Sequence, residues 1–293
     1  MEFKWESGEH TIRVSSMPGV GDAFVLLSLS GAYGIPYETD IIQNYGRDGG
    51  VRIGTRVGTR GVSVQGEVLA PYAVNREKLM RAFMPHTDGL ATFVGASGKI
   101  RKQRFWATTQ PIFINTDNTR FMVTIEAEDP YFFSEEESVV DSLIPMTSNC
   151  SFPLEITAPD ASGDKIWTFS EFLPEAAVEL INTSDGDVGG IFTIRATGTC
   201  ANPNIVNVAT SEYMKLSLAM SSGMKATLDT RPGRKSVTVT NADGTSFNGM
   251  PLLDTGSTFH QIKRGGNVFR LEADDGLAAM NCFVKFTPAY LDL

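Results

Sequence analysis

Tyr213-Met214-Lys215-Leu216-Ser217-Leu218-Ala219-Met220 is the stretch whose reading decides the fold class. Met214, Leu216, Leu218 and Met220 fall on one face, with Lys215 and Ser217 on the other. A period of two is the signature of a half-buried β-strand, because successive side chains of an extended backbone point to opposite faces. Working outward, the same alternation marks strands at Phe152 to Ala158, Lys165 to Phe169, Ala177 to Ile181, Ile191 to Ala196, Met224 to Asp229, Ser236 to Thr240, Val268 to Ala273 and Met280 to Phe286. Turn dipeptides such as Asp243-Gly244 and Asp275-Gly276 separate them. About nine short strands punctuated in this way predict a β-sandwich or jelly roll over the second half of the chain.

The first half is also strand-rich, with a single helix expected over 75–84. Asn75 is placed as its N-cap, Leu79, Met80, Phe83 and Met84 form an apolar stripe, and Pro85 ends it. Before the helix, Val51 to Gly61 reads as one long strand. Val51, Ile53, Thr55, Val57 and Thr59 share one face, and Arg52, Gly54, Arg56, Gly58 and Arg60 share the other. Beyond Gly61 the phase flips to Val62, Val64 and Val68, which a bulge or bend centred on Gly61 would explain. After the aromatic-rich segment Asp129-Pro130-Tyr131-Phe132-Phe133, the run Glu135-Glu136-Glu137 reads as a solvated linker. The expected domains are therefore 1–134, ring-forming by the reading below, and 135–293.

The 293 residues suit two domains, and 42% hydrophobic with 20% charged residues is ordinary for a folded chain. Residues 1–134 hold 14 basic and 14 acidic side chains, whereas 135–293 hold 11 and 20, so the whole net charge of -9 lies in the second half. An acidic half without a basic tail argues against sequence-specific nucleic-acid binding and against docking on anionic membranes. There is no apolar run long enough to span a bilayer, and Glu2, Glu6 and Glu9 stand where a secretory signal needs basic and then apolar residues. Synthesis in the cytoplasm is the expectation.

The chemistry-bearing residues form no known catalytic pattern. His10, His86 and His260 lie far apart, no nucleophile elbow, zinc-protease helix or phosphate loop occurs, and Cys150, Cys200 and Cys282 have neither disulfide nor zinc spacing. Asp254 and Glu272 are the best pair for a two-carboxylate glycosidase, but many acidic residues in this half would serve as well. The reading is a non-enzyme with no catalytic residue, no cofactor and no metal. Arg52, Arg56 and Arg60, about 13 Å apart at successive positions on one strand face, leave two readings open. They form a solvated face with cross-strand carboxylates, or a face that meets an adjacent subunit or lines a channel.

Taken in order, several of these stretches resemble the distal tail proteins of long-tailed, non-contractile bacteriophages. They are Asp48-Gly49-Gly50 with the Arg-rich strand ending in Val62-Ser63-Val64-Gln65-Gly66, the helix Arg76 to Met84 with Pro85, a strand-turn-strand from Leu90 to Arg101, and Asp129-Pro130-Tyr131-Phe132-Phe133. In the second half they are Asn182-Thr183-Ser184-Asp185-Gly186-Asp187, Asn202-Pro203-Asn204-Ile205-Val206-Asn207, and Phe259-x-x-Ile262-x-x-Gly265-x-Asn267. Thr258-Phe259 departs from the family's frequent Trp-aromatic pair.

The resemblance implies an all-β chain with one short helix, a tail-tube-like split-barrel first domain and a galectin-like second domain. In such a family the first domain's sheet is incomplete alone and joins those of identical chains in a sixfold ring at the tail tip. Partners would be the tail tube protein, the tail-tip hub or tail-associated protein and a receptor-binding protein, with DNA passing through the lumen unread and no membrane contact. Four strands from each of six subunits, at about 4.8 Å spacing, would give a closed sheet about 37 Å across, wide enough for duplex DNA. Two alternatives stand beside this: a carbohydrate-binding module using Trp167, Phe169 or Phe172 as a stacking platform, and a tail-tube or baseplate hub subunit.

Overall fold

The computed structural model describes residues 1–35, 37–140, 146–148, 170–172 and 177–293, with the side chains of 146–148 and 170–172 left undescribed. The chain divides into two compact units, Met1–Glu136 with Ala289–Leu293, and Glu137–Pro288. The expected strands Phe152 to Ala158 and Lys165 to Phe169, and the side chains of Trp167, Phe169 and Phe172, lie outside the described residues.

Unit 1 begins with β1 (Glu2–Ser7), β2 (His10–Ser15), β3 (Phe24–Ser30), β4 (Tyr37–Gln43), β5 (Gly50–Val57) and β6 (Arg60–Val68). After helix α1 (Tyr72–Ala82) come β7 (Asp88–Val94), β8 (Ile100–Ala107), β9 (Ile112–Phe113), β10 (Arg120–Ala127) and β11 (Phe132–Ser134). Seven strands run in the order β8-β7-β1-β2-β3-β6-β10, and β10 reaches back to β8 through Ile125 opposite Ala107 and Glu126 opposite Trp106. That contact closes a barrel. A barrel this narrow is filled by its own side chains; β1, β6 and β10 alternate strictly, and Phe3, Trp5, Val64, Phe93, Phe105 and Phe121 are buried in the core. The barrel therefore does not wait for a neighbour to complete its sheet, contrary to the expectation of a sheet incomplete by itself. Burying the alternating apolar face of a twisted sheet is achieved most fully by curling it onto itself, which also removes two edges.

Helix α1 begins earlier than expected, because Pro71 takes the cap position. Asn75 is no N-cap: it lies buried inside the helix, and its Nδ2 donates to the Leu69 carbonyl at 2.8 Å, tying the first turn to the strand that precedes it. Leu79, Ala82 and Phe83 face the core. The Trp5 ring stacks on Phe83 at 4.9 Å between centroids, and its indole N–H donates to the Ala82 carbonyl at 2.9 Å. Gly89 leaves room for that ring, since a Cβ there would stand 2.4 Å from it.

Unit 2 contains β12 (Ser138–Val140), β13 (Met146–Ser148), β14 (Ser170–Phe172), β15 (Val178–Asn182), β16 (Val188–Ala196), β17 (Cys200–Ala201), β18 (Asn204–Asn207), β19 (Tyr213–Lys215) and β20 (Ala219–Met220). It continues with β21 (Lys225–Asp229), β22 (Ser236–Thr240), β23 (Ser246–Asn248), β24 (Gln261–Ile262), β25 (Gly265–Glu272) and β26 (Met280–Phe286). One sheet has the order β12-β26-β16-β21-β22-β23, with β24 on β16, and the other β15-β25-β18-β19. Phe192 of the first meets Phe269 of the second edge-on at 5.5 Å, which places the core between them. The strand expected over Tyr213 to Met220 is broken: the Leu216 N–H bonds Pro203, and the Ser217 N–H bonds Leu252. Met214, Leu216 and Met220 are nonetheless buried.

The last five residues, assigned by the sequence reading to the second domain, belong to unit 1. There β27 (Ala289–Tyr290) pairs with β11, Phe132 opposite Tyr290 and Phe133 opposite Ala289.

Candidate assembly arm and its root

Strands β4 and β5 pair only with each other among the described residues, forming a two-stranded arm. Its turn contains Gly46 and Gly49 at positive φ, +72° and +94°, conformations that cost a glycine nothing. The register places Tyr37 opposite Val57, Glu38 opposite Arg56, Thr39 opposite Thr55, Ile41 opposite Arg52 and Ile42 opposite Val51, with a bulge between Asp40 and Ile41. The bulge leaves Ile53 of β5 without an opposite residue, so the alternation of that strand is interrupted there, and Ile41 stands opposite Arg52. The arm's apolar side chains are not covered: Tyr37, Ile41, Ile42, Val51 and Ile53 are 58–65% exposed.

The uniform alternation read from Val51 onward does not hold along β5, because the extra residue at Ile53 shifts the pairing by one. The sequence pattern also missed β4, where Ile41 and Ile42 are neighbours and give no apolar–polar alternation. The Arg56 Nε lies 2.7 Å from Glu38 Oε2, with both side chains more than half exposed. Such a pair contributes at most about 1 kcal/mol.

Arg60 does not lie on the arm beside Arg52 and Arg56. The strand breaks at Gly58 and Thr59, and β6 starts at Arg60, in phase with buried Val62 and Val64, so the slip lies upstream of Gly61. Arg60 is 1% exposed. Its Nε donates to the Pro130 carbonyl at 2.6 Å, Nη1 to Gly31 at 2.9 Å and Nη2 to Leu291 at 2.6 Å, and its guanidinium lies 4.3 Å from the Phe132 ring centre. Burial lowers the tendency of this group to hold its proton, and the Asp292 carboxylate counteracts it. An arginine stays charged under such a shift. The structure thus brings Arg52 and Arg56 together on the arm and places Arg60 beneath its root.

Asp254 and Glu272, the carboxylate pair singled out from the sequence, are both occupied. Asp254 accepts from the Tyr213 hydroxyl at 3.0 Å, and Glu272 accepts from Arg270 Nε at 2.8 Å. Among the described residues no three or more His, Cys, Asp or Glu side chains are grouped to hold a metal ion. Among the described residues, no helix is long and apolar enough to cross a membrane. Cys200 and Cys282 are buried free thiols, and burial pushes both up in pKa.

Comparison with known proteins fits this architecture. Residues 184–290 match the model of the siphovirus-type tail component, C-terminal domain. No curated protein matches the chain in sequence. Among solved structures, the chain is similar to the crystal structure of the Dit protein (gp 19.1) of phage SPP1, described as a paradigm of the hub adsorption apparatus in phages infecting Gram-positive bacteria. The TM-score is 0.69 at 14% identity, over 99% of both chains. It is also similar to a chain of the phage P2 baseplate in its activated conformation with Ca, with a TM-score of 0.51 at 10% identity over 100% of this chain and 99% of that one. Residues 184–290 thus match the siphovirus-type tail component model, and the whole chain has the fold of the Dit protein, which bears out the resemblance to the distal tail proteins.

Proposed function

We propose that this chain is a non-enzymatic distal tail protein that associates with copies of itself into a sixfold ring at the tip of a phage tail. The observation that carries the reading is the arm. A lone two-stranded ribbon is marginally stable in water, and an exposed apolar face of this kind marks an interaction surface. Here the arm displays Tyr37, Ile41, Ile42, Val51 and Ile53 to solvent. Docked on the next subunit, the arm would bury that surface, and repetition around a closed ring would satisfy every arm without runaway association. The barrel, being closed on itself, would contribute surface to the ring rather than a shared sheet. The ring joins the tail tube protein to the tail-tip hub and receptor-binding proteins, and DNA passes through its lumen without being read.

Native mass measurement of the purified protein, with electron microscopy of the same sample, tests this. The expected species has six times the 31.8 kDa mass of the chain and sixfold symmetry. A monomer at every accessible concentration would sink the proposal.

A further inference from the structure

Three segments far apart in the chain meet at the Arg60 guanidinium. Gly31, 29 positions away, leads into the arm; Pro130, 70 positions away, lies just before β11, from which the chain leaves for unit 2. Leu291, 231 positions away, follows β27, on which the chain has returned. Arg60 itself stands three residues beyond the end of β5. All three guanidinium nitrogens are engaged, each on a different carbonyl. A planar fork can hold three acceptors in fixed directions at once, which the single ammonium of a lysine cannot reproduce.

The returning segment is held at several points. Its ladder with β11 is two residues long, Ala289 is buried, and Leu293 packs against the barrel core. The guanidinium of the buried Arg101 lies 3.8 Å from the Tyr290 ring centre. The Arg60–Leu291 bond adds to these attachments and ties the segment to the root of the arm. The dependence also runs the other way. Without the Leu291 carbonyl, a buried cation would keep N–H groups with no acceptor, a state costly enough that the side chain would turn toward water. Gly31 and Pro130 would then lose their donor too.

We infer that Arg60 is a clasp that seats the root of the arm only when the segment Ala289–Leu293 has returned to unit 1. Arm root and C-terminal segment are thus coupled through one side chain. A consequence follows that rests on the arm being the self-assembly element: the arm gains its firm seat only after unit 2 and the segment 289–293 that follows it have been made. Incomplete chains then present a loosely seated arm, which keeps them out of rings.

The coupling is tested in the monomer, by hydrogen exchange at a concentration below association. Four chains are compared: the full chain, Arg60→Met, the chain lacking residues 289–293, and the two changes combined. Amides in 31–35 and 57–61 are expected to exchange about tenfold faster in each single variant. The combined chain should be no faster than either, and β1 and β7 should keep their protection. An arm root as protected as in the full chain after tail deletion overturns the inference, and so does independent addition of the two effects. Where either chain fails to fold, Tyr290→Ala and Arg60→Lys take their place, with the same root-selective loss expected and an unchanged root overturning the clasp. Ring formation is read separately by mass. Absence of rings with the coupling present counts against the proposed function alone, whereas full ring yield from the tail-deleted chain removes the ordering consequence.

Discussion

His260 is fully buried, its ring 6.0 Å from that of Phe192 and 5.4 Å from that of Phe269, and its Nε2 bonds the Ile205 carbonyl at 2.9 Å. With Nε2–H as the donor, Nδ1 is left buried without a partner. Protonating it would add a second N–H with no acceptor, and burial accordingly holds this imidazole below its ordinary pKa of 6.5. Between the folded value and 6.5 the unfolded chain binds more protons, so stability is fully present above 6.5 and is lost as the pH falls below it. Urea midpoints should be level above about pH 7 and decline below it by up to about 1.4 kcal/mol per pH unit. In His260→Gln that decline should be smaller; an identical slope would remove His260 as its source. Gly89→Ala is a second test at this scale. The added methyl would meet the Trp5 ring at 2.4 Å and should cost about 1–3 kcal/mol by thermal unfolding, through displacement of the indole from Phe83.

At the scale of the element, the arm separates assembly from folding. Ile42 and Ile53 are exposed and lie outside the barrel core, so Ile42→Ser combined with Ile53→Ser should lower self-association by about tenfold or more. The melting of the monomer should shift by no more than about 0.5 kcal/mol, as surface substitutions do. Sedimentation and calorimetry on one preparation decide it: a variant that unfolds as readily as it dissociates would assign these residues to the fold instead. Arg56→Glu acts on the ion pair of the same arm. It sets two carboxylates opposite each other at Glu38, where an ion pair now stands. Ring yield should fall while stability changes by less than about 1 kcal/mol. Unchanged ring yield would count against a role for Arg56 in assembly.

At the scale of the whole molecule, the sequence by itself determined the β class, the presence of two units and the lack of a catalytic pattern. Alternation, turn residues and composition are local properties, and they read the same wherever the strand goes. Ser236–Thr240 and Met280–Phe286 stand as the alternation drew them, whereas the pattern over Val51 to Val57 could not show the extra residue at Ile53. What only the tertiary structure decided is which partner each strand takes. Arg60 looked like the third member of a charged stripe because a period-two pattern cannot show where a strand breaks. Its pairing opposite Ala127 of β10 turns it inward instead. The closure of the barrel depends on two residue pairs between β8 and β10, and the return of the chain to unit 1 on two more between β27 and β11. Those hydrogen bonds join residues far apart in the chain, and no local pattern of side chains specifies a backbone partner at that distance.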